Sequence, residues 1–183
     1  PWIESPGYGG ANVALHAAGA TVSAIPLDAQ GMAIISSRKE TPRLIFVTPS
    51  HQYPLGSVMS LARRRELLDF ARASGSWIVE DDYDSEFRFA GRPIPAMQGL
   101  ESDSPVIYIG TFSKTLFPGL RVGYMVLPRT LAAAFRTAHA DLYREGHAIT
   151  QAGLAELIEQ GHYASHIRRM RVVYARRRAL LAG

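Results

Sequence analysis

The sequence predicts an α/β fold, a three-layer sandwich on a mixed, mainly parallel sheet. Three observations carry that expectation. Short apolar runs alternate along the chain with longer segments of helical spacing. Glycine and proline stand at the boundaries between them. The chain has 183 residues, 47% hydrophobic and 20% charged, enough for one sizeable core in an ordinary globular composition.

The elements follow in order. Residues 10–18 are Ala-rich and read as a short helix, with Gly19 as its stop. Residues 21–26 read as a strand. Residues 44–47 form a buried-type apolar strand, closed by Thr48, Pro49 and Ser50. After the turn Pro54, Leu55, Gly56, residues 57–74 read as an amphipathic helix. Leu61, Leu67, Leu68 and Phe70 make its apolar face, Ser57 or Ser60 its cap and Gly75 its stop. Residues 77–79 are a strand that runs into Glu80, Asp81, Asp82 and Tyr83. Strands follow at 105–110 and 122–127, then helices at 130–143, 150–159 and 162–181. In such sheets ligands gather at the carboxyl ends of the strands, where Asp81 and Lys114 are expected.

Composition narrows the function classes. The chain has no cysteine, which excludes disulfides and thiolate metal sites and fits a reducing, cytoplasmic setting. No apolar run reaches the ~20 residues of a membrane span, so no membrane role is expected. The first residues carry neither a basic nor an apolar leader pattern. The chain opens on Pro1 and ends in a running helix, so it reads as a piece of a longer protein. Net charge is +4. Arg168, Arg169, Arg171, Arg176, Arg177 and Arg178 lie near the C-terminus, and removing these six from the 20 basic residues leaves 14 against 16 acidic ones. This run reads either as a nucleic-acid-binding module or as the solvated face of a helix that packs through Ile167, Met170, Val173 and Tyr174. The second reading is favoured.

The richest chemistry lies in residues 108–124. An apolar strand runs into Gly110, then Thr111, Ser113 and Lys114. A Pro-Gly turn follows, then Arg121. One amine, two hydroxyls and one guanidinium suit a phosphate-bearing carbonyl cofactor: the amine forms a Schiff base and the others hold the phosphate. A lysine at the mouth of an apolar strand is expected to be poorly solvated, which favours the nucleophilic amine. A nucleotide P-loop is the competing reading, but its spaced glycines are missing. Asp81 and Tyr83, two apart at a strand end, point to one face by the period of two. A carboxylate there can pair with a protonated pyridine nitrogen, and the phenol can bond a ring hydroxyl. The competing readings of 80–82 are a solvated acidic turn or a divalent-metal site.

These motifs resemble class I/II aminotransferases, the fold-type I pyridoxal-phosphate (PLP) enzymes, over nearly the whole chain. Residues 111–123 resemble their lysine segment, and 81–83 their Asp-x-Tyr segment. Residues 48–56 resemble their Pro-rich turn, and 5–8 the segment that supplies the ring stacked on the cofactor. Residues 51–53, 80–89 and 162–171 are most similar to the MocR branch of GntR-type transcriptional regulators, in which a winged-helix DNA-binding domain precedes an aminotransferase-like domain.

The resemblance implies PLP as cofactor and no metal. Lys114 would form the Schiff base, Asp81 would pair with the pyridine nitrogen, and Tyr83 would bond the ring hydroxyl. Thr111, Ser113 and Arg121 would hold the phosphate, and Tyr8 would stack on the ring. Plainer roles compete: Tyr8 as a core aromatic, Ser113 as a helix cap, Arg121 as a partner of Asp84. Tyr53 replaces the usual asparagine beside the ring hydroxyl, which argues against efficient transamination. The resemblance also implies an amino-acid or amine-like ligand, a homodimer, and contact with DNA only through a domain outside this chain. Residues 1–147 would be an N-terminally truncated PLP-binding large domain, and 148–183 the start of a C-terminal small domain. A free-standing aminotransferase is the alternative.

Overall fold

The computed structural model describes residues 1–35, 41–88, 94–144 and 146–182. Phe89, the last residue of the 80–89 motif, and Gly183 lie outside them. The chain divides into two compact units. The first holds residues 1–83, 94–111 and 123–128; the second holds 84–93, 112–122 and 129–183.

The first unit is built on a seven-stranded sheet among the described residues. Its strands are β1 (Trp2–Ser5), β2 (Ser23–Asp28), β3 (Gly31–Met32), β4 (Leu44–Val47), β5 (Trp77–Asp82), β6 (Val106–Thr111) and β7 (Gly123–Val126). Their spatial order is β3-β2-β1-β4-β5-β6-β7. The pairs β1–β2, β1–β4, β4–β5 and β5–β6 are parallel, whereas β3 and β7 run antiparallel to their neighbours. The mixed, mainly parallel α/β sheet expected from the sequence is present. The carboxyl ends of β1, β4, β5 and β6 therefore share one rim. Strand order reverses between β1 and β4, the switch point at which such sheets bind ligands.

Register sorts the side chains. Trp2, Ile25, Ile45, Ile78 and Val106 share one sheet face through the pairings of β1, β2, β4, β5 and β6. They join Leu67, Leu68 and Ala71 of helix α2 (Leu61–Ser74) in the buried core. Ser60 caps α2, its side chain accepting from the Arg63 amide at 3.1 Å. Gly75 ends the helix in the left-handed region, at φ 65°. Both residues act as the sequence indicated. The buried face of α2 differs from the expected one: Leu61 is exposed, while Arg63 is buried and Arg64 fully so. Phe70 stacks on Trp2 with ring centroids 5.1 Å apart.

Arg64 is buried because it closes open backbone ends. Its guanidinium donates to the carbonyls of Pro49 (2.7 Å), Pro95 (3.1 Å) and Met59 (3.3 Å), and meets Glu80 at 3.5 Å. Glu80 in turn accepts from the amides of Met97 (3.0 Å) and Gln98 (3.1 Å). Burial pushes the Glu80 carboxyl up, against those amides and the Arg64 charge.

Helix α1 (Gly9–Ala17) follows β1 in the first unit, with Ala11 as its buried residue. The second unit holds α3 (Arg129–Tyr143), α4 (Ala148–Glu159) and α5 (His162–Ala182). On α5, Ile167 is buried and Met170, Val173 and Tyr174 are half-buried, whereas the six arginines are exposed. Tyr174 meets Phe87 edge-on at 4.9 Å, and Arg171 donates to the Glu86 carbonyl at 2.6 Å. This is the packing face read from the sequence, with its basic side in solvent. Among the described residues, no helix is long and apolar enough to cross a membrane.

Candidate functional site

The carboxyl rim of the sheet gathers the residues of the first unit that the sequence singles out. Tyr8 follows β1, Tyr53 follows β4, Asp81 and Tyr83 stand at the end of β5, and Thr111 ends β6. Tyr8 and Tyr53 meet edge to face at 5.7 Å, and Tyr53 meets Tyr83 the same way at 6.4 Å. His51 stacks on Tyr83 at 5.9 Å. Tyr8 is 47% exposed and Tyr53 45%, so neither is a core aromatic. A side chain on Gly10 would strike the Tyr8 ring at 2.6 Å, so glycine there lets the ring lie close over the helix start. The Tyr83 hydroxyl donates to the His51 carbonyl at 2.9 Å. Toward a ligand this oxygen acts as an acceptor.

The rim depends on a buried network with no motif of its own. Glu4 Oε2 accepts from the Thr48 hydroxyl (2.7 Å), the Thr48 amide (3.1 Å) and Gln52 Nε2 (3.3 Å). Gln52 also donates to the carbonyls of Pro6 (2.9 Å) and Tyr53 (2.6 Å), and its Oε1 accepts from the Leu55 amide at 3.1 Å. The Tyr53 amide donates to Thr48 Oγ1 at 3.0 Å. One carboxylate and one amide thus fasten the turn carrying Tyr53 to the end of β1. Burial pushes the Glu4 carboxyl up. The sequence marked this turn by its prolines and by residues 51–53, but not by the contacts that hold it. The partners lie 44 and 48 residues apart, beyond any local pattern.

The acidic run at 80–82 is not a solvated turn, and it belongs to no group of three or more His, Cys, Asp or Glu among the described residues that could hold a metal ion. It lies within β5, which extends through Asp82, beyond the expected end at Val79. Alternation places Glu80 and Asp82 on the core face and Asp81 on the other. The Tyr108 hydroxyl donates to Asp82 Oδ2 at 2.9 Å, and burial followed by the Asp82 charge pushes the Tyr108 phenol up. Asp81 is different. It is half-buried, and its carboxylate makes no hydrogen bond or ion pair among the described residues. Burial first, and the neighbouring Asp82 charge second, push its carboxyl up to about 6. A negative charge held in that setting calls for a cationic partner, and a protonated ring nitrogen fits it.

The remaining candidates belong to the second unit. Residues 113–116 form a turn, with Phe112 and Thr115 buried and Lys114 exposed. The expectation of a poorly solvated lysine does not hold within this chain, because the turn points its two flanking side chains inward and the amine outward. No helix follows Ser113, so helix capping is not its role. Arg121 takes the left-handed conformation at φ 52° after a short 3-10 turn, Pro118–Leu120. It is exposed and makes no ion pair among the described residues, so it is not spent on Asp84. Lys114 likewise has no partner among them. Within the second unit, then, an exposed amine and an exposed guanidinium stand seven residues apart, 114 and 121, with no ion-pair partner among the described residues.

A mainly parallel sheet with polar and aromatic side chains at its carboxyl rim defines an α/β domain of the class whose ligand sites lie at that rim. The chain belongs to the class I and II aminotransferase family, whose model matches residues 2–183. It is 48% identical over 182 residues to the "Probable rhizopine catabolism regulatory protein MocR" of Rhizobium meliloti, covering 100% of this chain and 37% of that protein. It is 41% identical over 189 residues to the "Uncharacterized HTH-type transcriptional regulator YdeL" of Bacillus subtilis, covering 97% of this chain and 38% of that one. The chain thus spans less than two fifths of the length of these relatives. Among solved structures it matches LysN, an α-aminoadipate aminotransferase of Thermus thermophilus complexed with N-(5'-phosphopyridoxyl)-L-leucine. That match has a TM-score of 0.84 at 29% identity and covers 94% of this chain and 46% of the other.

Proposed function

We propose that this chain is the PLP-binding, effector-sensing domain of a MocR-type transcriptional regulator. The observation that carries the reading is Asp81, a half-buried carboxylate at the carboxyl rim of the sheet with no cationic partner among the described residues. Asp81 would bind the pyridine nitrogen and Tyr83 the ring hydroxyl. Thr111, Ser113 and Arg121 would hold the phosphate. Tyr8 would cover one face of the ring, with Tyr53 beside it, and Lys114 would supply the amine for covalent attachment. Bound there, the cofactor supplies an aldehyde that captures primary amines and an electron-withdrawing ring. Asp81 would keep a proton on the ring nitrogen, and Lys114 Nζ would be the amine that competes with a ligand's amine for the aldehyde.

The sensing role is favoured over turnover by Tyr53. A phenol stands where aminotransferases use an amide, and the Glu4–Gln52 network holds its backbone there. Residues 1–147 make the cofactor domain and 148–183 begin a C-terminal domain. The protein acts in the cytoplasm as a homodimer and reaches DNA through a separate domain. The alternative, a working transaminase, draws on the likeness to LysN.

Titration of the full-length protein with PLP tests the reading. Wild type is expected to develop a visible absorbance that shifts when an amino acid or amine is added. Lys114→Ala is expected to lose that absorbance while its melting temperature stays within the small range of a surface substitution. An unchanged spectrum in Lys114→Ala would refute the attachment. Sustained keto-acid formation over many turnovers would favour the enzyme.

A further inference from the structure

Lys114 stands in a turn, and a turn directs a side chain only as firmly as its own backbone is held. Within the second unit, the Phe112 amide donates to the Val122 carbonyl at 3.1 Å and the Leu116 amide to the Phe112 carbonyl at 2.9 Å. Thr115 is buried, at 1% exposure. Its carbonyl is met from α5 by His166 Nε2 at 2.9 Å. The other ring nitrogen, Nδ1, is met by Arg169 Nη2 at 3.2 Å. A guanidinium only donates, so Nδ1 is an acceptor and the ring proton lies on Nε2. Both contacts therefore require the same neutral tautomer, which donates to Thr115. One turn earlier on α5, Tyr163 sets its ring edge-on to Phe112 at 5.7 Å. The helix thus touches the lysine turn at both residues that point inward.

We propose that His166 is a positioning residue for Lys114, tying the lysine turn to α5 through the Thr115 carbonyl, so that displacement of α5 moves the amine. Arg169 serves it by fixing the tautomer. The inference rests on the reading of Lys114 as the attachment residue. It gives a ligand-driven shift of α5 a direct route to the cofactor bond.

The test uses the full-length protein with His166→Leu, His166→Gln and Arg169→Leu. The first readout is hydrogen exchange at the Leu116 amide without cofactor; the second is PLP titration. Loss of one neutral hydrogen bond is expected to speed Leu116 exchange and weaken PLP binding by about 3–10-fold in His166→Leu. Glutamine places a donor at similar reach, so His166→Gln is expected to restore both to within about 2–3-fold. Arg169→Leu keeps the ring and is expected to fall between. Wild-type behaviour in His166→Leu, or equal damage in His166→Gln, would overturn the proposal. Should His166→Leu fail to fold, wild-type exchange and binding in Arg169→Leu would overturn it. If wild type binds no PLP while exchange follows the expected order, the cofactor reading fails and the positioning role stands.

Discussion

Arg64→Met is expected to destabilise the domain by about 3–5 kcal/mol, because it leaves a buried carboxylate without its counter-charge. The guanidinium is fully buried, meets Glu80 at 3.5 Å and also serves the carbonyls of Pro49, Met59 and Pro95. Methionine fills similar space and serves none of them. Urea unfolding measures the loss. Its pH dependence has a defined sign. Burial raises Glu80, so the folded chain holds that proton to higher pH than the unfolded chain does. The associated stability is full below the unfolded carboxyl's titration and fades as pH rises through the folded value. Removing Arg64 takes away a charge that lowers Glu80, so the variant's deficit grows from about pH 5 to about pH 8. A deficit under about 1 kcal/mol at both would show that the pair is ornamental.

Asp81→Asn is expected to raise the stability of the cofactor-free protein and lower its affinity for PLP. The Asp81 carboxyl is pushed from 3.8 up to about 6, chiefly by burial and then by Asp82. Its stabilising contribution is complete below the unfolded value and is lost as pH rises through about 6, so above that the charged form costs stability. The full shift corresponds to about 3 kcal/mol, and screening of this half-exposed group reduces it to about 1–2 kcal/mol. Asparagine avoids that cost, so the gain is expected in thermal melts near neutral pH and should vanish in acid. PLP binding should weaken by about 10–100-fold, the worth of a hydrogen bond between charged groups. Lower stability at neutral pH, or unchanged PLP affinity, would remove Asp81 from its role. Function kept at a cost in stability marks a binding site rather than a packing position.

Strand β4, the caps of α2 and the inward face of α5 were legible because apolar period, Ser60, Gly75 and the Ile167–Tyr174 stripe are local signals. Asp81 was legible because it stands at the end of an apolar strand run, whereas Tyr8 and Tyr53 were picked out by the family resemblance of their segments. Strand β1 was missed, and its Glu4 shows why. A buried glutamate breaks the apolar pattern of so short a strand, and only Thr48 and Gln52, far along the chain, make its burial tolerable. The burial of Arg64 was not legible for the same reason, since its partners include backbone carbonyls that no sequence pattern announces. Strand β3 has two residues, too few for any period to be seen. The exposure of Lys114 followed from the turn at 113–116, whose inward residues are fixed by α5.

Borohydride reduction of the PLP-loaded full-length protein, followed by peptide mapping, tests the central claim most directly. This chain contains two lysines, Lys39 and Lys114. One phosphopyridoxyl group is expected, on the peptide that carries Lys114. Labelling of Lys39 instead, or no stable label in a protein that has bound PLP, would contradict it.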